Sequence, residues 1–207
     1  MHNFIECYPQ ALTKEQCDGI ISKFRTDTHL HSPGCVAGGK IDKLIKQSTD
    51  ITNRFTDNNR SFYNNIIYPA LCDGIKQYAT KYDYMLDLPE WCIEIDYNIQ
   101  VYKQGEGFGK LHCEKQLLLP DRILAWMFYL NDAKSGTTFP MQDITLAPKT
   151  GDLWIWPAYW THAHRGVVPN QGFKCIATGW CVFKCNTNWR KAIQEILDSE
   201  LSDNDFQ

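Results

Sequence analysis

Two features of this chain predict an α+β fold. Apolar residues recur at helical spacing through the first part of the chain, and from about residue 92 the period shortens to two. Short β-like runs, separated by Gly, Pro, Asn or Asp, then follow one another as far as residue 183. Helices first and many short strands afterwards place the functional half in an antiparallel sandwich or barrel. With 207 residues the chain is long enough to bury a core as one domain, residues 1–207. Within it the reading assigns helical support to about 1–90, the β core to about 91–185 and a C-terminal helix to about 188–200.

The first helix is predicted over LTKEQCDGIISKF (12–24), where Cys17, Ile20, Ile21 and Phe24 repeat at i, i+3, i+4, i+7. Thr13 and Gln16 have the spacing of a capping box. Residues 26–35 are polar and turn-rich. A second helical stretch covers roughly 57–82, with Phe62, Ile66, Ile67, Leu71, Ile75, Tyr78 and Tyr82 on one broad face. Pro69 should kink or split it. IEIDYNIQV (93–101) alternates apolar and polar, as a half-buried strand does, and Tyr102 continues it. Further strands are expected at 122–130, 137–139, 144–146, 152–156 and 173–183, and NWRKAIQEILDSE (188–200) reads as the closing helix.

The composition is that of a globular protein, 43% apolar and 22% charged. A formal charge of −3 gives no reason to expect nucleic acid or an anionic membrane as partner. The nine cysteines form no C-x-x-C pair, so a structural zinc site is not expected. MHNFIECYPQALTKEQ lacks the pattern of a secretory signal, and no apolar run approaches transmembrane length. Free thiols and these absences predict a cytoplasmic protein. GCVAGGKI (34–41) approximates a phosphate-binding loop, but Ile41 stands where a hydroxyl would hold Mg²⁺. GEGFG (105–109) lacks the glycine spacing and following helix of a dinucleotide fingerprint. Both read as turns.

Chemistry concentrates in the β half. His112 and Glu114, in KLHCEK, are two apart and share a face if their segment is extended. Non-haem Fe(II) oxygenases need two imidazoles and one carboxylate on one side of the metal, with the other positions open. A distal histidine from WTHAHRG (160–166) would complete such a face; His162 and His164 compete for the place. In FKCIATGW (173–180), Lys174, Ile176, Thr178 and Trp180 share a strand face, and a lysine buried there needs an anion. A surface pair for His112/Glu114, a snorkelling Lys174 and a merely packed Tyr129 are the bland alternatives.

Taken in order, HCE (112–114), RILAWMFYLND (122–132), GTTF (136–139), PKTG (148–151), HRG (164–166) and KCIATGW (174–180) resemble the 2-oxoglutarate/Fe(II)-dependent dioxygenases of prolyl 4-hydroxylase-like type. The resemblance covers about residues 92–183. It implies a double-stranded β-helix (jelly-roll) core, with N-terminal supporting helices and a short C-terminal helix. It also implies Fe(II), 2-oxoglutarate as cosubstrate, O2, and ascorbate as an accessory reductant. The activity implied is hydroxylation of an unactivated C–H bond, with a prolyl residue in a peptide or protein as the default substrate and release of succinate and CO2. Small-molecule substrates occur on related folds. Carried over by position, His112, Glu114 and His164 match the iron ligands. The spacing to Lys174 and the H-x-G form favour His164 over His162. Lys174 and Tyr129 match the residues that hold the far carboxylate of 2-oxoglutarate; Tyr102 matches an aromatic of the cosubstrate pocket and Trp180 an aromatic behind the site, so all four are implied to be cofactor-binding.

The departure from the family pattern is glutamate in H-x-E, where H-x-D is commoner. Halogenating relatives replace that carboxylate with a small residue, so its presence favours hydroxylation. Asn98 and Gln100 share a face with Tyr102 and are candidate substrate contacts, as are Arg122 and Arg165. The rival readings are a cupin-like metalloenzyme that does not use 2-oxoglutarate and a jelly-roll metal-binding module without catalysis.

Overall fold

The computed structural model describes residues 2–116 and 119–184. Among the described residues, ten strands form two sheets: β1 (Glu6–Tyr8), β2 (Ser32–Pro33), β3 (Thr49–Arg54), β4 (Trp91–Lys103), β5 (Arg122–Tyr129), β6 (Thr137–Phe139), β7 (Ile144–Leu146), β8 (Leu153–Pro157), β9 (Arg165–Gly166) and β10 (Phe173–Phe183). The major sheet runs β1-β8-β5-β10-β4-β3-β2, and the minor sheet runs β7-β6-β9. All pairings are antiparallel. This is the expected α+β architecture, a jelly-roll core with helices laid against it. The expected closing helix lies outside the described residues.

The N-terminal part is less purely helical than its sequence suggests. It supplies β1, β2 and β3, which extend both edges of the major sheet. These strands are too short, or too mixed in polarity, to carry an alternation signal. The two expected helices are present as α1 (Lys14–Thr26) and α2 (Ser61–Lys81). The Thr13 hydroxyl accepts from the Gln16 N–H while the Gln16 side chain accepts from the Thr13 N–H, a reciprocal cap for two otherwise unsatisfied donors. Pro69 neither splits nor ends α2. It sits on the exposed side of the helix, where water can serve the carbonyl its ring leaves unbonded, while Ile67 and Leu71 hold the helix to the core.

The major sheet is buried on both faces, which explains the continuous apolar run in β5. Leu124, Trp126 and Phe128 face the helices and join Ile20, Phe24, Ile67, Leu71 and Tyr97 in one core. Ala125, Met127 and Tyr129 point the other way, into a second core shared with Phe139 and Leu146 of the minor sheet. Alternation in β4 follows the same logic from Tyr97 to Tyr102: Tyr97 and Ile99 are helix-side, and Gln100 and Tyr102 are interior. It breaks below Tyr97, where the register against β10 jumps between Gly179 and Cys181. That bulge leaves Ile95 49% exposed despite its apolar character.

The PKTG turn ties the N-terminal segment to the core. The Gly151 N–H donates to the Tyr129 carbonyl (2.8 Å), and its own carbonyl accepts from Leu12 (3.0 Å). Its φ is +88°, and a Cβ there would lie 2.0 Å from the Leu12 oxygen. Gly151→Ala should therefore lower unfolding free energy by about 1–3 kcal/mol, read as a shifted urea midpoint. An unchanged midpoint would show that this junction relaxes freely.

Candidate active site

Two histidines meet because two irregular segments pair as one isolated antiparallel bridge. The His112 N–H donates to the His164 carbonyl (3.0 Å), and the His164 N–H donates to the His112 carbonyl (2.8 Å). Their ring centroids lie 4.6 Å apart. Each Nδ1 faces a carbonyl two residues away in sequence, Lys110 for His112 (2.8 Å) and His162 for His164 (3.0 Å). A carbonyl can only accept, so both Nδ1 atoms carry protons and both Nε2 atoms are left as the ligating positions. Phe108, in the GEGFG turn, stacks on His112 at 3.8 Å and 11°. Trp156 meets His164 edge-on at 5.2 Å.

Glu114 completes the group. Its Oε1 is 3.3 Å from His164 Nε2 and 3.7 Å from His112 Nε2. The ligand atoms of all three residues lie within 4.8 Å of one another. Among the described residues, no other cluster of His, Cys, Asp or Glu is this compact. Cis donors on an octahedral first-row ion at about 2.1 Å are about 3 Å apart, so two nitrogens and one oxygen in this arrangement fit Fe(II) with one side open. The backbone holds Glu114 in place, its N–H donating to the Ala158 carbonyl (3.1 Å). Burial alone would raise the carboxyl pKa. The His164 contact and the positive fields of His112, His164 and Arg122 outweigh it and bring the value to about 2. Burial also lowers the pKa of His112, which favours the neutral, ligating form.

His162 is turned elsewhere. Its Nε2 donates to the Asn3 carbonyl (2.8 Å), and Nδ1 lies 2.9 Å from the Thr161 hydroxyl. It fastens the N-terminal segment to the loop that presents His164.

The candidate metal-ligand group opens into a cavity of about 390 Å³ between the sheets, walled in part by Tyr102, Thr137, Ile176 and Lys174. Lys174 is 3% exposed, and no carboxylate among the described residues pairs with it. Its ammonium has one long contact to the Gly136 carbonyl (3.5 Å) and stands 5.0 Å from the Tyr102 ring centroid. Burial lowers its pKa to about 8. A Cβ on Gly166, in HRG, would sit 3.4 Å from that ammonium, so the glycine leaves room for it.

The other predicted residues divide. Tyr102, Asn98, Gln100, Arg122 and Trp180 all line the cavity. Trp180 donates its indole N–H to Glu114 Oε2 (2.8 Å). Tyr129 is fully buried but not among the cavity walls; its hydroxyl donates to Thr137 (3.0 Å), and Thr137 reaches the cavity in its stead. Arg165 is exposed on β9 and likewise not a wall residue. Gln100 is occupied at both ends, accepting from Tyr102 (2.7 Å) and donating to Asp50 (3.1 Å).

Sequence reasoning missed the partners of that chain. Asp50, on β3, accepts from the Lys46 ammonium (2.8 Å) and the Ser48 hydroxyl (2.7 Å), and all three are buried. Lys46 and the turn of GCVAGGKI, through Cys35, Val36, Gly38 and Gly39, line the cavity. No local pattern marks such residues; a buried Lys–Asp pair four apart in a polar loop looks solvated in one dimension.

No family model matches the chain, and no curated protein does. Solved structures do. A viral collagen prolyl hydroxylase from Paramecium bursaria Chlorella virus-1, as a 2-oxoglutarate complex, superposes with a TM-score of 0.62 at 16% identity, covering 87% of this chain and 96% of that one. A Trichoplax adhaerens prolyl hydroxylase, bound to a peptide fragment of the hypoxia inducible factor oxygen degradation domain, gives 0.67 at 11% identity, covering 87% and 84%. SnoK, an α-ketoglutarate-dependent non-haem carbocyclase of nogalamycin biosynthesis, gives 0.61 at 8%, covering 87% and 80%. At these identities the likeness shows the fold: this chain has the jelly-roll architecture of 2-oxoglutarate-dependent oxygenases.

His164→Ala should abolish Co(II) binding measured by calorimetry, whereas His162→Gln should bind within about threefold of wild type. Equal losses in both variants would remove the assignment of His164 over His162.

Proposed function

We propose that the protein is a 2-oxoglutarate- and Fe(II)-dependent oxygenase that hydroxylates an unactivated C–H bond. The observation that carries the reading is a two-histidine, one-carboxylate face and, in the same cavity, a buried lysine with no ion-pair partner among the described residues. A buried ammonium without a counter-ion is costly, and an anion entering the cavity relieves that cost. His112, Glu114 and His164 would hold the iron, which when bound supplies the O2-activating redox chemistry. Lys174 pairs with the far carboxylate of 2-oxoglutarate, with the Thr137 hydroxyl beside it and Tyr129 steadying Thr137 from behind. Tyr102 walls the cosubstrate, its hydroxyl held by Gln100. Phe108, Trp156 and Ile176 keep water from the reacting end.

The substrate enters along Asn98, Thr52 and Thr178, a neutral polar wall on the cavity's side of the major sheet. Neutral amide and hydroxyl groups suit a peptide backbone, and two of the similar structures are prolyl hydroxylases. A peptidyl proline is therefore the first substrate class to test. A small metabolite is the second, since the carbocyclase shares the fold.

Fe(II)-dependent release of succinate from 2-oxoglutarate, with a peptide and metabolite library as co-substrates, tests the reading. Absence of succinate under every condition would leave a metal-binding jelly roll. Two finer outcomes are expected. Lys174→Met should raise the KM for 2-oxoglutarate by roughly 100-fold, the loss of a buried charge-assisted contact. In the wild type, the depressed lysine loses its proton above pH 8, while the dicarboxylate binds the charged form. KM for 2-oxoglutarate should therefore climb about tenfold per unit above pH 8, with a proton taken up on binding. A flat KM between pH 7 and 9.5 would separate Lys174 from the cosubstrate.

A further inference from the structure

Glutamate at position 114 raises a geometric difficulty that the surrounding residues resolve. Its side chain has one more methylene than aspartate, hence one more torsion, and a carboxylate free to turn can present either oxygen or both to a metal. Here the two oxygens have different surroundings. Oε1 faces His112 and His164, at 3.7 and 3.3 Å. Oε2 accepts the Trp180 indole N–H at 2.8 Å and lies 3.6 Å from Arg122 Nη1.

The two partners of Oε2 are themselves fixed. The Arg122 guanidinium lies over the Trp180 ring, its Cζ 3.3 Å from the centroid, so each restrains the other. Arg122 also faces Glu94, its Nε 3.5 Å from Oε2 of that residue. Glu94 lies in the stretch of β4 where the register against β10 shifts, and Trp180 occupies the same irregularity on β10. The bulge therefore delivers both the indole and the second carboxylate to Arg122.

We propose that Trp180 and Arg122 are positioning residues that hold Glu114 as a single-oxygen metal ligand, absorbing the length that distinguishes glutamate from aspartate. This rests on the metal reading given above and specifies how that site is kept open. With Oε2 engaged, only Oε1 is presented, and the positions needed by cosubstrate and O2 are not taken by a second carboxylate oxygen. Trp180 thus acts through Glu114, whereas sequence reasoning set it among the cosubstrate contacts.

The test uses the full-length protein with Co(II) as probe. Dissociation constants come from calorimetry, and the visible bands, whose intensity falls as coordination number rises, report the geometry. Trp180→Phe keeps the ring beneath Arg122 and removes the N–H. It should weaken Co(II) binding about 10–100-fold and lower the band intensity as Oε2 turns toward the metal. In a Glu114→Asp background, where the shorter side chain cannot reach indole and metal together, the same change should cost less than about threefold. Arg122→Gln, acting on the same oxygen with the indole intact, is measured in parallel and decides the matter if Trp180→Phe fails to fold. Wild-type binding and spectrum retained in both variants would overturn the proposal, as would an equal loss from Trp180→Phe in both backgrounds. Wild type that binds no Co(II) would overturn the metal reading and this proposal with it.

Discussion

The reciprocal hydrogen bonds between His112 and His164 are the constraint on which the site depends. Neither residue lies in a long strand, and their segments are 52 positions apart (164 − 112). Pairing the two backbones brings both rings to one side, and the carbonyls of Lys110 and His162 then select the tautomer. Glu114 follows because its backbone is pinned to Ala158, next to the end of β8. Placement thus comes from main-chain geometry, and side-chain packing by Phe108 and Trp156 only stiffens it. Main-chain positioning tolerates wide sequence change, which accords with a shared fold at 8–16% identity.

The cavity is also an exercise in charge placement. Lys46 is neutralised by Asp50, and Arg122 faces both Glu114 and Glu94. Lys174 alone among the buried cations lining it lacks an ion-pair partner within the described residues. Lys46 and Arg122 reach the cavity with their charges matched, whereas the exception is where the proposed anionic cosubstrate would complete the protein's own electrostatics.

Much of this was legible in one dimension. Strands β4 to β8 and β10 announced themselves by alternation or apolar runs, the two-residue β9 did not, and the capping box of α1 was readable from two residues. The metal face and Lys174 needed motif order, because H-x-E alone is common. What stayed hidden were contacts closed by topology: the Lys46–Asp50–Gln100–Tyr102 chain spans β3 and β4, and Tyr129 hands its place to Thr137 across sheets. Strands β1 to β3 were missed because strands of two to six residues, of mixed polarity, carry too few side chains for a period to register. Trp180 was seen as an aromatic near the site, but its N–H direction depends on a bulge that no local pattern reveals.

The double-sided burial of β5 bears on inheritance and engineering as much as on packing. Leu124, Trp126 and Phe128 belong to the helical layer's core, while Ala125, Met127 and Tyr129 belong to the core of the chamber between the sheets. One eight-residue ribbon is therefore common property of both halves. Excising the chamber would strip its back wall of α1 and α2 and leave an apolar sheet face in water. The helical layer and the chamber share this sheet, so the smallest transplantable piece of the candidate site includes helices that do not line its cavity.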